Sequence, residues 1–335
     1  MRIAVDAMGS DNFPEPDVAG AVAAARRQDL TILLVGDEKL IQEELTRIKA
    51  RDLAIEIHHA EDRIRMSDKP GAALKDKPAS SIHLGLQLVK EGRADAYVSA
   101  GNTGAIMAIA TLNKLQRIRG IKRPALSAIY PIEGRPLIIL DVGANVDSRP
   151  EWLQQFALMG SLYSQTVLGI AEPRVALLSN GEEAGKGSQL IQESEALLRK
   201  TPVNFVGNIE PSGLLEDKVD VLVTDGFTGN ILLKTFEGTQ HFIRNALGRE
   251  LRRDLISMLG GILSGQAFVR MRRYVDPERI GGAPLLGLRG IVLVSHGSAN
   301  AVAIQNAILQ AGKAVSADII GAIQGGLQHL ISPNQ

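Results

Sequence analysis

Short apolar runs, too continuous to leave one face in water, alternate with amphipathic stretches along this chain. That alternation narrows the fold more than any other feature. Residues 3–5, 31–35, 55–58, 96–98, 125–130, 137–140, 175–178, 203–206, 219–223 and 291–294 read as strands. Most are apolar at nearly every position, which suits strands covered on both faces. Helical patterns fall between them, at 16–27, 38–49, 80–91, 103–117, 151–167, 189–199, 230–247 and 299–311. Strand and helix in alternation predict an α/β fold with a doubly wound parallel sheet.

At 335 residues, the chain is expected to form a single large α/β unit over 1–335, or two lobes sharing a central cleft. The 37 basic and 37 acidic residues cancel, so no global field draws nucleic acid. The absence of cysteine excludes disulfides, thiolate catalysis and thiolate-bound metal. The opening residues read as a strand rather than a secretion signal, and no apolar stretch reaches membrane-spanning length. A cytoplasmic location is expected, with attachment to the inner membrane face left open.

One stretch breaks the alternation. Residues 250–274 read as two helices joined near Gly260-Gly261, a helical hairpin projecting from the body. The segment 244–273 carries seven arginines, at 244, 249, 252, 253, 270, 272 and 273, against Glu250 and Asp254. Leu255, Ile256, Leu259, Ile262 and Leu263 lie between the arginine clusters. An apolar tip flanked by arginine suits an anionic lipid surface or an acidic protein; a dimer interface is the alternative.

Six loops share one context, a buried strand followed by a small polar turn. They are residues 6–11, 99–104, 141–145, 179–187, 224–230 and 295–300. In a parallel sheet the carboxyl ends of all strands lie on one edge, so these loops are expected to converge on one cleft. Glycine there lets backbone approach a ligand, and helix N-termini behind the loops present free N–H groups to an anion. The 179–187 loop nearly matches a nucleotide P-loop, but only three residues separate Gly181 from Gly185, and Gly187 stands where Ser or Thr is required. That reading is rejected. No dinucleotide fingerprint follows the first strand, and no metal site is evident. His296 is the only histidine in these loops; it and Lys186 are the groups suited to proton transfer or charge neutralisation.

The loops and their order resemble the bacterial phosphate acyltransferase family, the acyl-acyl-carrier-protein:phosphate transacylases of phospholipid synthesis. The resemblance is carried by Asp6-Ala7-Met8-Gly9, Ser99-Ala100-Gly101-Asn102-Thr103-Gly104, Asp141-Val142-Gly143-Ala144-Asn145, Ser179-Asn180-Gly181-Glu182-Glu183, Lys186-Gly187, Thr224-Asp225-Gly226-Phe227-Thr228-Gly229-Asn230 and Ser295-His296-Gly297. Met66, Lys75, Lys77, Ser80 and Ser81 add to it. The chain departs from the family at Ser10, where a second glycine is usual, and near Leu74 and Lys75, where an arginine is frequent.

The resemblance implies an α/β/α sandwich similar to isocitrate and isopropylmalate dehydrogenases and to phosphotransacetylases, assembled as a homodimer. It implies acyl-phosphate formation from acyl-acyl carrier protein and inorganic phosphate, without a cofactor, in supply of a membrane glycerol-3-phosphate acyltransferase. Phosphate would attack the thioester carbonyl directly. Asn102, Thr103 and Gly104 are expected to bind phosphate, assisted by Thr228 and Asn230. Lys186 is assigned to charge neutralisation or the oxyanion, and His296 to protonating the leaving thiolate or orienting phosphate, with Asp225 orienting either. A phosphotransacetylase using acyl-coenzyme A, a dehydrogenase and a non-catalytic phosphate binder are the rival readings.

Overall fold

The computed structural model describes residues 1–132, 135–216, 218–275 and 281–331. The strands are β1 (Arg2–Asp6), β2 (Thr31–Gly36), β3 (Ile55–His59), β4 (Ala96–Ser99), β5 (Ala125–Ile132), β6 (Arg135–Leu140), β7 (Arg174–Leu178), β8 (Asn204–Ile209), β9 (Val221–Val223), β10 (Ala283–Leu286) and β11 (Ile291–Val294). They form one sheet of eleven strands in the order β3-β2-β1-β4-β11-β10-β5-β6-β9-β7-β8.

The helices are α1 (Glu15–Ala25), α2 (Glu38–Arg47), α3 (Pro70–Asp76), α4 (Ser81–Lys90), α5 (Thr103–Ile109), α6 (Pro150–Thr166), α7 (Gln189–Leu198), α8 (Gly226–Glu250), α9 (Leu255–Leu263), α10 (Gly265–Val275), α11 (Ala301–Ser316) and α12 (Ile319–Ile331). They cover both faces of the sheet. Ala4, Leu33, Val35 and Ile139 point into one core with Ile82, Leu86 and Ile106 of α4 and α5. Their strand neighbours Ile3, Ile32 and Leu34 point to the other face, against α1 and α11. Ile138 and Leu140 do the same against α6 and α12. Both faces being dry is why the strands read as unbroken apolar runs.

The sheet is not parallel throughout. β1, β2, β3, β4 and β11 run one way, and β6, β7, β8 and β9 run together within the other half. Between the halves, β11–β10, β10–β5 and β5–β6 are antiparallel. Following the three reversals across the sheet, the two halves point in opposite directions. The carboxyl ends of the strands therefore do not share one edge, contrary to the expectation above.

β10, α3 and α12 were not anticipated. β10 holds Pro284 and pairs over only two residues with each neighbour, so it gives little apolar pattern to read. Residues 103–117 are not one helix: α5 stops at Ile109, and a single π-helical turn over Ala110–Lys114 follows. α8 begins earlier than expected, at Gly226, because Asp225 caps it. The hairpin helices divide at Ser264, not at Gly260-Gly261, which lies inside α9.

Candidate active site

Register brings the two opposed halves together at one level. Ala283 of β10 faces Val294 at the end of β11, Leu285 faces Leu126, and Ser127 faces Leu140 at the end of β6. Only a few residues along the sheet thus separate the loops after β4 and β11 from those after β6 and β9. Between them lies a cleft of about 440 Å³. Its rim carries Thr103, Gly104, Gly143, Asn230 and His296, and its apolar side Met107, Leu126, Ala128, Tyr130 and Leu233. Four of the six loops reach it. The convergence is real, but it arises from two antiparallel half-sheets meeting, not from one parallel edge.

Buried carboxylates organise the loops. Asp6, fully buried at the end of β1, accepts from Ser99 Oγ at 2.6 Å and from the Met8 N–H at 3.0 Å. Burial pushes its carboxyl up, against these donors and Arg63, which hold it down. Ser99 Oγ accepts in turn from the Gly101 N–H, and the Ser295 N–H donates to the Ser99 carbonyl. Arg63 fastens the first loop by donating to the carbonyls of Met8 and Ser10. The loop after β1 therefore stands behind the rim and supports it.

Asp141 plays the same part on the opposite half. Its carboxylate accepts from the backbone N–H groups of Leu126, Gly143, Ala144 and Asn145, and from Asn145 Nδ2. Burial raises its carboxyl while these donors oppose the rise. The Gly226 N–H donates to the Asn145 carbonyl, locking the 141–145 loop to the start of α8. Residue 229 must be glycine, because a Cβ there would run into the Asp141 carbonyl oxygen. Neither acid was singled out as an organiser in the sequence. The available signal was an aspartate closing an apolar strand and followed by small residues whose N–H groups can turn back to it.

The expected phosphate ligands divide. Asn102 Oδ1 caps α5 by accepting from the Ala105 N–H, and Nδ2 faces the carbonyls of Arg65, Met66 and Asp68 at 3.0–3.2 Å. Its side chain is engaged in holding the 65–68 turn and offers no donor to a ligand. Thr103 and Gly104 line the cleft and Asn230 joins them from the other half. Thr228 does not line it; its Oγ1 donates to Asp225 Oδ2 at 2.7 Å.

The catalytic candidates divide as well. His296 is exposed and lines the cleft. The Ser298 N–H donates to its Nδ1 at 3.2 Å, and Ser298 Oγ lies 2.8 Å from the same nitrogen. A backbone N–H can only donate, so in the neutral ring the proton sits on Nε2, available as a donor. Beside it, Ser295 lines the cleft with a buried hydroxyl that meets no partner among the described residues. Asp225 accepts from the Thr228 N–H and hydroxyl as the cap of α8. In this structure it makes no hydrogen bond to Lys186 or His296. Lys186 is exposed on the loop after β7, packed over Gly181, and is not among the residues that line the cleft. Among the described residues, no group of three His, Cys, Asp or Glu is placed to hold a metal ion.

Residues 1–321 match the family described as "Fatty acid synthesis protein". A phosphate acyltransferase of Anaeromyxobacter sp. (strain K) is 48% identical over 323 residues, covering 96% of this chain and 89% of the relative. A phosphate acyltransferase of Trichlorobacter lovleyi is 47% identical over 309 residues, covering 92% and 89%. Among solved structures, a phosphotransacetylase from Streptococcus pyogenes superposes with a TM-score of 0.62 at 18% identity, covering 96% of this chain and 94% of that one. The EutD phosphotransacetylase from Staphylococcus aureus gives 0.61 at 18% identity, with 94% of each chain covered. At these identities the structures establish a shared α/β fold.

Proposed function

The chain belongs to the fatty acid synthesis protein family, whose matching relatives are phosphate acyltransferases, and we propose that it forms acyl-phosphate from fatty acyl-acyl carrier protein and inorganic phosphate for phospholipid synthesis. The observation that carries this reading is the cleft itself, where the first turn of α5, Asn230 and His296 face an apolar side. Phosphate fits the rim and an acyl chain fits Met107, Leu126, Ala128 and Leu233.

Phosphate is the nucleophile, so no enzyme acyl intermediate is needed. A phosphate oxygen attacks the thioester carbonyl, forming a C–O bond and a tetrahedral oxyanion. Collapse breaks the C–S bond, and the departing thiolate takes up the proton that hydrogenphosphate brought, leaving the acyl-phosphate dianion and the free carrier thiol. Catalysis is then positioning plus electrostatics. The backbone N–H groups of Thr103 and Gly104, with the Asn230 amide, hold phosphate. His296 Nε2–H donates to the oxyanion or to the departing sulfur. Lys186 serves by swinging its long side chain toward the anions from outside the cleft, and Asp225 and Asn102 act by holding α8 and α5 in place.

The whole chain works as one α/β unit with the α9–α10 hairpin as its attachment to a membrane face. No helix among the described residues is long and apolar enough to cross a membrane. Leu255, Ile256, Leu259, Ile262 and Leu263 are 61–84% exposed on α9, an apolar face suited to lie in a lipid surface. Of the flanking arginines, the side chains of Arg272 and Arg273 lie outside the described residues. Phe227, Ile231, Phe242 and Ile243, exposed along α8, suit a second copy of the chain in a homodimer. At the membrane the product would pass to a glycerol-3-phosphate acyltransferase. The deciding assay incubates the protein with palmitoyl-carrier protein and phosphate and measures release of the carrier thiol. Release without dependence on phosphate would refute the reading, and palmitoyl-coenzyme A in place of the carrier ranks the two acyl donors.

A further inference from the structure

We propose that an exposed basic face formed by Arg117, Arg119, Lys122, Arg123, Arg149 and Arg289 is the docking surface for the acidic acyl carrier protein; this rests on the carrier-dependent reading above. The segment 111–123 contains no acidic residue. Folding adds two cations to it from distant parts of the chain. Arg289 donates from Nε to the Arg117 carbonyl at 3.1 Å and from its N–H to the Gln116 carbonyl at 3.1 Å. Arg149 comes from the cap of α6, where its guanidinium and that of Arg123 lie 5.8 and 4.9 Å from the centre of the Trp152 ring. Arg117 itself donates to the Lys122 carbonyl.

All six side chains are exposed, and none pairs with a carboxylate among the described residues. Asp147 and Glu151 are the acids in the neighbouring 143–152 segment, and neither forms an ion pair with them. In a chain whose charges cancel overall, six unneutralised cations held together repel one another until an anionic surface meets them. Their geometry is fixed beforehand. Two guanidiniums lean on one indole and two are tethered to carbonyls, so little side-chain freedom is lost when carboxylates arrive. Arginine forks and a tryptophan are the groups enriched where proteins recognise proteins.

The face also adjoins the cleft. Arg123 is three residues before Leu126, which lines it, a span of at most about 10 Å. The carbonyl of Pro124 accepts from Asn145 Nδ2 at 2.8 Å, joining this edge to the loop whose Gly143 is on the rim. A carrier seated here would have only a short distance to pass its thioester arm.

The test replaces three of the four cations whose side chains have no backbone tether, in the triple variant Arg119→Glu, Lys122→Glu, Arg123→Glu, and titrates it with palmitoyl-carrier protein. Carrier Kd is expected to weaken about 10–100-fold at low salt, and the wild-type salt dependence is expected to flatten. Turnover of palmitoyl-coenzyme A with phosphate and the melting midpoint should be unchanged. An unchanged carrier Kd overturns the proposal. An equal loss of palmitoyl-coenzyme A turnover also overturns it, since the damage then lies in the site. Should the wild-type chain bind carrier through this face yet make no acyl-phosphate, the functional reading fails and the docking face stands. If it makes acyl-phosphate from palmitoyl-coenzyme A but ignores carrier, the face and the carrier reading fail together.

Discussion

Replacing Asp17 with asparagine should make the protein more stable at neutral pH and change its pH dependence in a calculable way. Asp17 is fully buried in α1, and Ser10 Oγ of the loop after β1 donates to its Oδ2. Its other oxygen meets no donor among the described residues. Burial, with Asp6 nearby adding to it, raises the carboxyl from 3.8 to about 7, against the Ser10 bond, which lowers it. The unfolded chain gives up this proton near 3.8, whereas the folded chain keeps it until about 7. Between those values the folded state binds more protons, so stability falls as pH rises and levels off above about 7.

At ~1.4 kcal/mol per unit, the full penalty above pH 7 is about 4 kcal/mol, and near pH 5 about 2 kcal/mol has already accrued. Asparagine has nearly the same shape and no charge, so the penalty vanishes. Urea unfolding of both proteins at several pH values measures the difference directly. The variant's advantage should grow by about 2–3 kcal/mol from pH 5 to pH 8. Any fixed cost of misplacing the amide shifts both ends equally and leaves that slope intact. A pH-independent difference would mean that Asp17 is ionised in the folded protein, and the assignment of a buried neutral carboxyl behind the first loop would be wrong.

Three further outcomes are expected. His296→Ala should lower kcat about 100-fold with the fold intact, the scale of losing one oxyanion donor; a loss confined to the KM for phosphate would move His296 from the transition state to substrate binding. Lys186→Ala should lower turnover at least about tenfold, and near-normal turnover would remove this exposed lysine from the mechanism. Leu259→Glu, at a position 61% exposed on α9, should reduce flotation with anionic vesicles about 10–100-fold, since it forfeits ~1.5–3 kcal/mol of apolar burial; equal flotation would assign the hairpin to another partner.

Much of the site was legible as residue types and little of it as roles. Thr103, Gly104, Asn230 and His296 were picked out because polar residues after buried strands mark ligand loops, and all four line the cleft. Asn102, Thr228 and Asp225 carried the same signal, yet the structure uses their side chains on helix caps and on the 65–68 turn. Asparagine, threonine and aspartate are favoured at ligand sites and at caps for one reason, an oxygen or amide on a short stem, so the sequence does not separate the two uses. Lys186 shows the converse: a charged residue in a glycine loop that leaves the sheet on the same edge as the loops after β6 and β9, yet does not line the cleft.

The sequence by itself determined that both faces of the sheet are covered, because unbroken apolar strands admit no other arrangement, and it determined which loops are polar and glycine-bearing. Only the tertiary structure decided the direction of the strands and the place of the cleft. Pairing direction is set by long-range backbone register, which leaves no mark on the composition of a strand that is dry on both sides. β10 is too short to announce itself, yet with β5 and β6 it turns half the sheet around and brings the ends of β4, β11, β6 and β9 to one level. The same holds for the basic face. The run 111–123 is visible in the chain, but Arg149 and Arg289 reach it only once the fold has formed.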